Sequence, residues 1–177
     1  MKVSEAVTLR EITTEDGARL SALMKNIYPK VYEHLWRDGG VSYLNNVYGE
    51  KNLARELAQP ASLYSFIEYY SDTVGILRIL DQETLIDMKD QSACKLQRIY
   101  LSEEVQGKGI GKQLVYWTKE RARQLESSVL WLEVMNTQNK AIGFYQKLGF
   151  QICGKFKFQA ELMHKGYRGM YRMYSSV

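Results

Sequence analysis

The chain has 177 residues, 45% of them hydrophobic and 25% charged, a composition that fits one folded domain spanning residues 1–177 with a sizeable core. The net charge is only +4, and the 24 lysines and arginines are scattered rather than gathered on one face, which argues against a nucleic-acid binder. No apolar run reaches the ~18 residues of a membrane helix, residues 1–5 do not open a secretory leader, and Cys94 and Cys153 lack metal-ligand spacing, so the expectation is a cytoplasmic protein with no metal and no membrane contact.

In chain order, residues 7–12 alternate apolar and polar side chains and predict a half-buried first strand. Thr13 and Asp16 have the spacing of a capping box, and Leu20, Leu23, Met24 and Ile27 keep helical period until Pro29, where the helix is expected to stop. Gly39-Gly40 divides residues 31–36 from 43–57, predicting two short helices joined by a turn. Residues 62–70 and 73–80 are β-branched and aromatic on either side of Ser71-Asp72, the pattern of an antiparallel hairpin.

A polar loop then leads to a fourth strand at about residues 93–101. From Ile110 a helix follows, with Leu114, Trp117, Thr118 and Leu125 as its apolar stripe and Lys119, Glu120, Arg121 and Arg123 toward water. Residues 129–134 are almost continuously apolar, as in a strand buried on both faces. A helix between the fourth and fifth strands makes them parallel through a right-handed crossover. After Asn139 a short helix places Ala141, Phe144, Tyr145 and Leu148 on one face and ends at Gly149, and residues 150–153 and 169–173 complete the sheet.

The loop between the fourth strand and its helix reads Gln106-Gly107-Lys108-Gly109-Ile110-Gly111. Glycines at alternate positions let amide N–H groups turn inward, and the free N–H groups of the following helix add positive potential, so the loop is a phosphate cradle. It is not a P-loop, because Gln106 and Gln113 stand where glycine and Ser or Thr are required. Nor is it a dinucleotide fingerprint, because the third glycine comes one residue early and Ser127-Ser128 replace the acidic residue.

The spacing that fits is Gln/Arg-x-x-Gly-x-Gly/Ala, followed some thirty residues on by Asn139-Lys140-Ala141-Ile142-Gly143-Phe144-Tyr145-Gln146-Lys147-Leu148-Gly149-Phe150. Together these two segments resemble the acetyl-coenzyme A core of the GNAT superfamily of N-acetyltransferases, closely over residues 95–155 and by element order elsewhere. The fold implied is α/β, a mixed and mostly antiparallel sheet flanked by helices, in which parallel strands four and five splay apart. The resemblance implies that the pantetheine arm of acetyl-coenzyme A enters that gap and bonds the backbone of Ile99, Tyr100 and Leu101. It implies that the pyrophosphate lies on Gln106, Gly107, Lys108, Gly109, Ile110, Gly111 and Lys112. Asn139 would contact the cofactor arm or simply cap its helix, Phe144 would line the channel or fill the core, and Lys147 would bind phosphate or only face solvent.

Tyr145 matches the family tyrosine that protonates the departing thiolate, with a core aromatic as the alternative. Related sequences have Glu where this chain has Gln97, so the base that deprotonates the amine is left to Glu133, Asp87 or water. Tyr28, Tyr32, Trp36, Tyr43 and Tyr48 form either an acceptor pocket or core, and His34 beside them is more often structural in such a setting. Cys153, on an expected buried strand, reads as inert. The activity implied is acetyl transfer to a primary amine such as a polyamine or amino acid, or to a protein amino group. A non-catalytic acyl-coenzyme A sensor is the rival, and whether the chain acts alone or as a homodimer stays open.

Overall fold

The computed structural model describes residues 1–177 and contains one seven-stranded sheet in the order β1-β2-β3-β4-β5-β7-β6. The strands are β1 (Val7–Glu11), β2 (Ser62–Tyr69), β3 (Asp72–Leu80), β4 (Ala93–Leu101), β5 (Val129–Met135), β6 (Gln151–Lys157) and β7 (Gly169–Ser176). All neighbours are antiparallel except β4 and β5. The helices are α1 (Gly17–Tyr32), α2 (Val41–Val47), α3 (Glu50–Leu57), α4 (Ile110–Gln124) and α5 (Asn139–Lys147). None of them is long and apolar enough to cross a membrane.

Each face of the sheet has its own core, because alternate strand residues point to opposite sides. Leu77, Ile79, Leu96, Leu130 and Leu132 pack with Leu114 and Val115 of α4 and Tyr145 of α5. Tyr64, Phe66 and Ile76 pack with Leu20, Met24 and Tyr28 of α1 and with Leu44 and Leu53 of α2 and α3. Residues of both layers line one cavity where the sheet opens.

That opening follows from register. β4 and β5 pair over Ala93–Lys95 and Val129–Trp131 alone, and beyond this β4 stays with β3 as far as Leu101 while β5 stays with β7 as far as Met135. The facing edges of β4 and β5 therefore diverge with no strand between them. At the mouth of the gap the β3–β4 register slips, since Arg78 faces Arg98 and Ile79 faces Leu96, so Gln97 is an inserted residue. Such a bulge bends the strand and sharpens its twist, which carries the end of β4 away from β5.

Several local expectations are corrected. Pro29 does not end α1, which runs to Tyr32. The proline lacks only the N–H that would bond the carbonyl of exposed Lys25, and the extra turn is held because the Tyr28 and Tyr32 rings pack at a tilt with centroids 4.9 Å apart and the Glu33 amide bonds the Pro29 carbonyl. Residues 33–35 form a single 3-10 turn, and the expected second helix is two, α2 and α3, separated at Tyr48-Gly49.

Lys119 does not face water. Its stem crosses the core and its Nζ donates to the Leu148 carbonyl at 2.9 Å and to Ser175 Oγ at 2.7 Å, tying α4 to the end of α5. Leu125, assigned to the stripe, is exposed, and Ala122 takes its place in the core. Within β5 the apolar run is broken by Glu133, which reaches solvent. β6 is an edge strand rather than a buried one, and Cys153 on it is half-buried with its Sγ 3.4 Å from the Arg172 carbonyl. Burial nevertheless raises the Cys153 thiol, which keeps it unreactive.

Candidate active site

The glycine loop leads from β4 into α4, with Gly107 and Gly109 both at φ +78°, where a side chain would be strained, and with open space where a Cβ would sit. The first backbone hydrogen bond of α4 runs from Gln113 to the Gly109 carbonyl at 3.1 Å. The amides of Gly109, Ile110, Gly111 and Lys112 thus have no backbone acceptor and point outward from the helix end, which is the arrangement that attracts an anion. The ammonium groups of Lys108 and Lys112 rest over the rings of Tyr69 at 5.3 Å and Tyr116 at 5.7 Å, beside the loop and exposed. Gln106 is exposed in extended backbone just before it. These features fit a bound pyrophosphate.

α5 stands against this helix end. Phe144 lies so close that a Cβ on Gly111 would be 3.5 Å from its ring, so Phe144 braces α5 on α4. The cavity described below is lined by Tyr145 and not by Phe144. Asn139 is the first residue of α5 and is exposed, and its side chain caps nothing, so the cap reading is not what the structure contains. Lys147 is exposed in the last turn, at the end of α5 away from its N-terminus.

A cavity of about 260 Å³ passes through the gap between β4 and β5. Its walls near the gap are Leu96 to Tyr100 of β4 and Leu132 to Met135 of β5, with Gln138, Ala141 and Tyr145 from the α5 side. Tyr145 is 9% exposed, stacks edge-on with Phe144 at 5.1 Å and Phe150 at 5.6 Å, and its phenol is raised above the usual range by burial and by the facing Tyr32. It therefore stays protonated at any working pH.

On the opposite side of the sheet the cavity is walled by Tyr28 and Tyr32 of α1, Trp36, Tyr43 of α2 and Tyr100 of β4. Four of the five aromatic residues singled out between 28 and 48 are thus brought to the cavity. Tyr48 is not among them, being 2% exposed beneath Arg98. His34 is exposed, packs edge-on against Tyr167 at 5.3 Å and does not reach the cavity.

The resemblance leads to the expectation that the last hairpin shares in the acceptor pocket, but composition and spacing did not reveal which of its residues form this wall. The long β6–β7 connection folds back over residues 35–37, between α1 and α2, with the Arg37 amide bonding the Leu162 carbonyl and the His164 amide bonding the Leu35 carbonyl, both at 2.9 Å. This brings Phe158 and Met163, and Met170 of β7, to the cavity. Arg168 fixes the connection by donating to the carbonyls of Met163 and Glu161 at 2.9 to 3.1 Å. The segment between β6 and β7 has no periodic pattern, so no sequence signal marks it as a wall.

Two charged side chains line the cavity, and each has a partner. Arg98 is held bidentate by buried Glu56 at 2.7 and 2.9 Å. Glu133 accepts from Lys95 Nζ at 3.0 Å. Gln97, also in the lining, accepts from Arg78 Nη1, while Arg78 Nη2 donates to Gln59 Oε1 at 2.8 Å and to the Glu56 carbonyl at 3.3 Å. Asp87 is paired with Arg172 outside the cavity, which holds its carboxyl below the usual range.

Comparison with known proteins adds the following. Residues 28–150 match the model of the acetyltransferase (GNAT) family. An uncharacterised N-acetyltransferase from the pepI 3′ region of Lactobacillus delbrueckii subsp. lactis is 31% identical over 107 residues, covering 60% of this chain and 62% of that protein. The uncharacterised N-acetyltransferase YjgM of Escherichia coli is 24% identical over 147 residues, 83% of each chain. Among solved structures, spermidine N-acetyltransferase from Vibrio cholerae with coenzyme A and spermine superposes with a TM-score of 0.70 at 16% identity, covering 98% of this chain and 96% of that one.

Proposed function

The chain belongs to the GNAT acetyltransferase family, and on that footing we propose that it moves an acetyl group from acetyl-coenzyme A to a primary amine by direct attack within a ternary complex. The observation that carries this reading is the cavity that crosses the sheet between β4 and β5, opening on one side to Tyr145 and α5 and on the other to a separate aromatic pocket. A donor and an acceptor entering from opposite faces would meet in that gap, which is the geometry of direct transfer.

Acetyl-coenzyme A supplies the acetyl group as an activated thioester. The free amides of Gly109 to Lys112, with Gly107, Gln106, Lys108 and Lys112, hold its pyrophosphate by hydrogen bonds and positive potential. The unpaired edge of β4 at Ile99, Tyr100 and Leu101 offers backbone partners to the amides of the pantetheine arm, with Asn139 and Phe144 bordering its path and Lys147 adding positive charge. Tyr145 donates its proton to the sulfur as it leaves. The proton of the incoming ammonium passes to water or to Glu133, the carboxylate that lines the cavity.

Gly109→Glu places a carboxylate, in strained backbone, at the mouth of the amide cradle. Calorimetric titration is expected to show acetyl-coenzyme A binding weakened by at least about tenfold, since a like charge then faces the phosphates. Undiminished affinity refutes the cradle assignment. Thiol release in the presence of an amine panel tests transfer itself, and cofactor binding with no thiol release from any amine would mark the chain as a non-catalytic acyl-coenzyme A binder.

A further inference from the structure

The acceptor side of the cavity has a definite chemical character. Tyr43 stacks between Tyr28 at 4.9 Å and Trp36 at 4.8 Å, and Tyr100 stands edge-on to Tyr28 at 6.1 Å and to Tyr32 at 5.9 Å. The rings are fixed in this box, because they pack on one another and because Trp36 Nε1 donates to the Tyr28 hydroxyl at 2.9 Å. Met135, Met163, Met170 and Phe158 complete an apolar surround. Methionine adapts to the shape of what it touches, whereas the stacked rings do not.

Charge is the deciding quantity. Both charged groups in the lining are already paired, Arg98 with Glu56 through two bonds and Glu133 with Lys95 through one oxygen, so the walls offer a cation no carboxylate that is not shared. An acceptor bearing several ammonium groups would have to strip water from each of them without gaining a free carboxylate, and burying an unpaired charge is costly. A single ammonium can rest against tyrosine and tryptophan faces, which attract a cation, while an apolar body fills the rest of the box. The small volume, about 260 Å³ for the whole passage, lies below the ~300–1,000 Å³ usual for small-molecule sites and suits a compact acceptor.

We propose that the acceptor is a small monoamine with an aromatic or branched apolar body, recognised by the box of Tyr28, Tyr32, Trp36, Tyr43 and Tyr100, and not a polyamine. This inference rests on the acetyl-transfer reading for its biological meaning, yet its test does not need turnover. 2-Phenylethylamine and spermidine are titrated separately, by calorimetry, into the full chain saturated with coenzyme A, and the same two amines are compared by thiol release with acetyl-coenzyme A. The expected result is a Kd for 2-phenylethylamine at least about tenfold below that for spermidine, which corresponds to ~1.4 kcal/mol. Spermidine binding as tightly or more tightly overturns the proposal, and so does the absence of binding by either amine. Preferential binding of 2-phenylethylamine without thiol release supports the pocket's selectivity and refutes the transfer reaction, so the two failures are told apart.

Discussion

Tyr145 shows what a single residue gains from its surroundings. Exposed, its phenol would begin to ionise near pH 10; buried between Phe144, Phe150 and the facing Tyr32 it is held higher, and so keeps its proton, as the proposed acid must. Tyr145→Phe keeps the ring and removes the proton. Its kcat is expected to fall by roughly a hundredfold or more, the usual worth of a positioned acid, with coenzyme A affinity unchanged in calorimetry; full turnover with saturating substrates would discharge Tyr145 from that role. In the sequence the Phe-Tyr pair pointed to this role only through the resemblance to the acetyltransferases, and its burial against Phe150 came from the structure. Gln97 was legible only as an absence of Glu. That it is the inserted residue of a bulge, bonded by Arg78, depends on β3 and could not be read from β4.

At the level of elements, Glu56 couples α3 to two strands. Its carboxylate accepts from Arg98 on β4 and lies 3.2 Å from Arg78 on β3, and all three side chains are at most 12% exposed. Burial alone would raise the Glu56 carboxyl, but the hydrogen bond from Arg98 and the two guanidinium charges outweigh it and hold the carboxyl low. Glu56→Gln leaves two buried cations with no counter-charge, so a loss of roughly 3 kcal/mol and about 8 °C of Tm is expected. A thermal scan showing a change below about 1 kcal/mol, within the range of an exposed ion pair, would show that the cluster does not brace the sheet. The α3 sequence announced none of this. An amphipathic octapeptide with Glu and Arg reads as a solvated helix, and the partners that bury Glu56 lie 22 and 42 residues away.

For the whole molecule, stability should form a plateau with two edges. Asp16, bonded by Arg10 and the Thr13 amide, is lowered to about 2, and Glu56 and Asp87 are also lowered by their arginines. Because these folded values lie below the unfolded ones, the stabilisation is complete above about pH 5 and is lost as pH falls through the carboxylate range. Tyr28, Tyr48 and Tyr145 are raised by burial and Tyr64 is raised to about 12, so their contribution is complete below about pH 9 and is lost as pH climbs past 10. Urea midpoints should be level between these limits and decline on both sides, with the part of the tyrosinate absorbance that belongs to these buried phenols withheld until unfolding; the full absorbance of all 13 tyrosines appearing ahead of unfolding would mean that the phenols are not buried. Period, turn residues and two glycine-containing motifs were enough to place the strands and helices along the chain and to mark the glycine loop, because each of these is set by neighbours within a few residues, and the helix between β4 and β5 was enough to make that pair parallel. Only the tertiary structure decided which aromatic side chains face the cavity, that the β6–β7 connection closes it and that its charges are already paired, because those depend on side chains meeting across distant strands, where no local pattern constrains them.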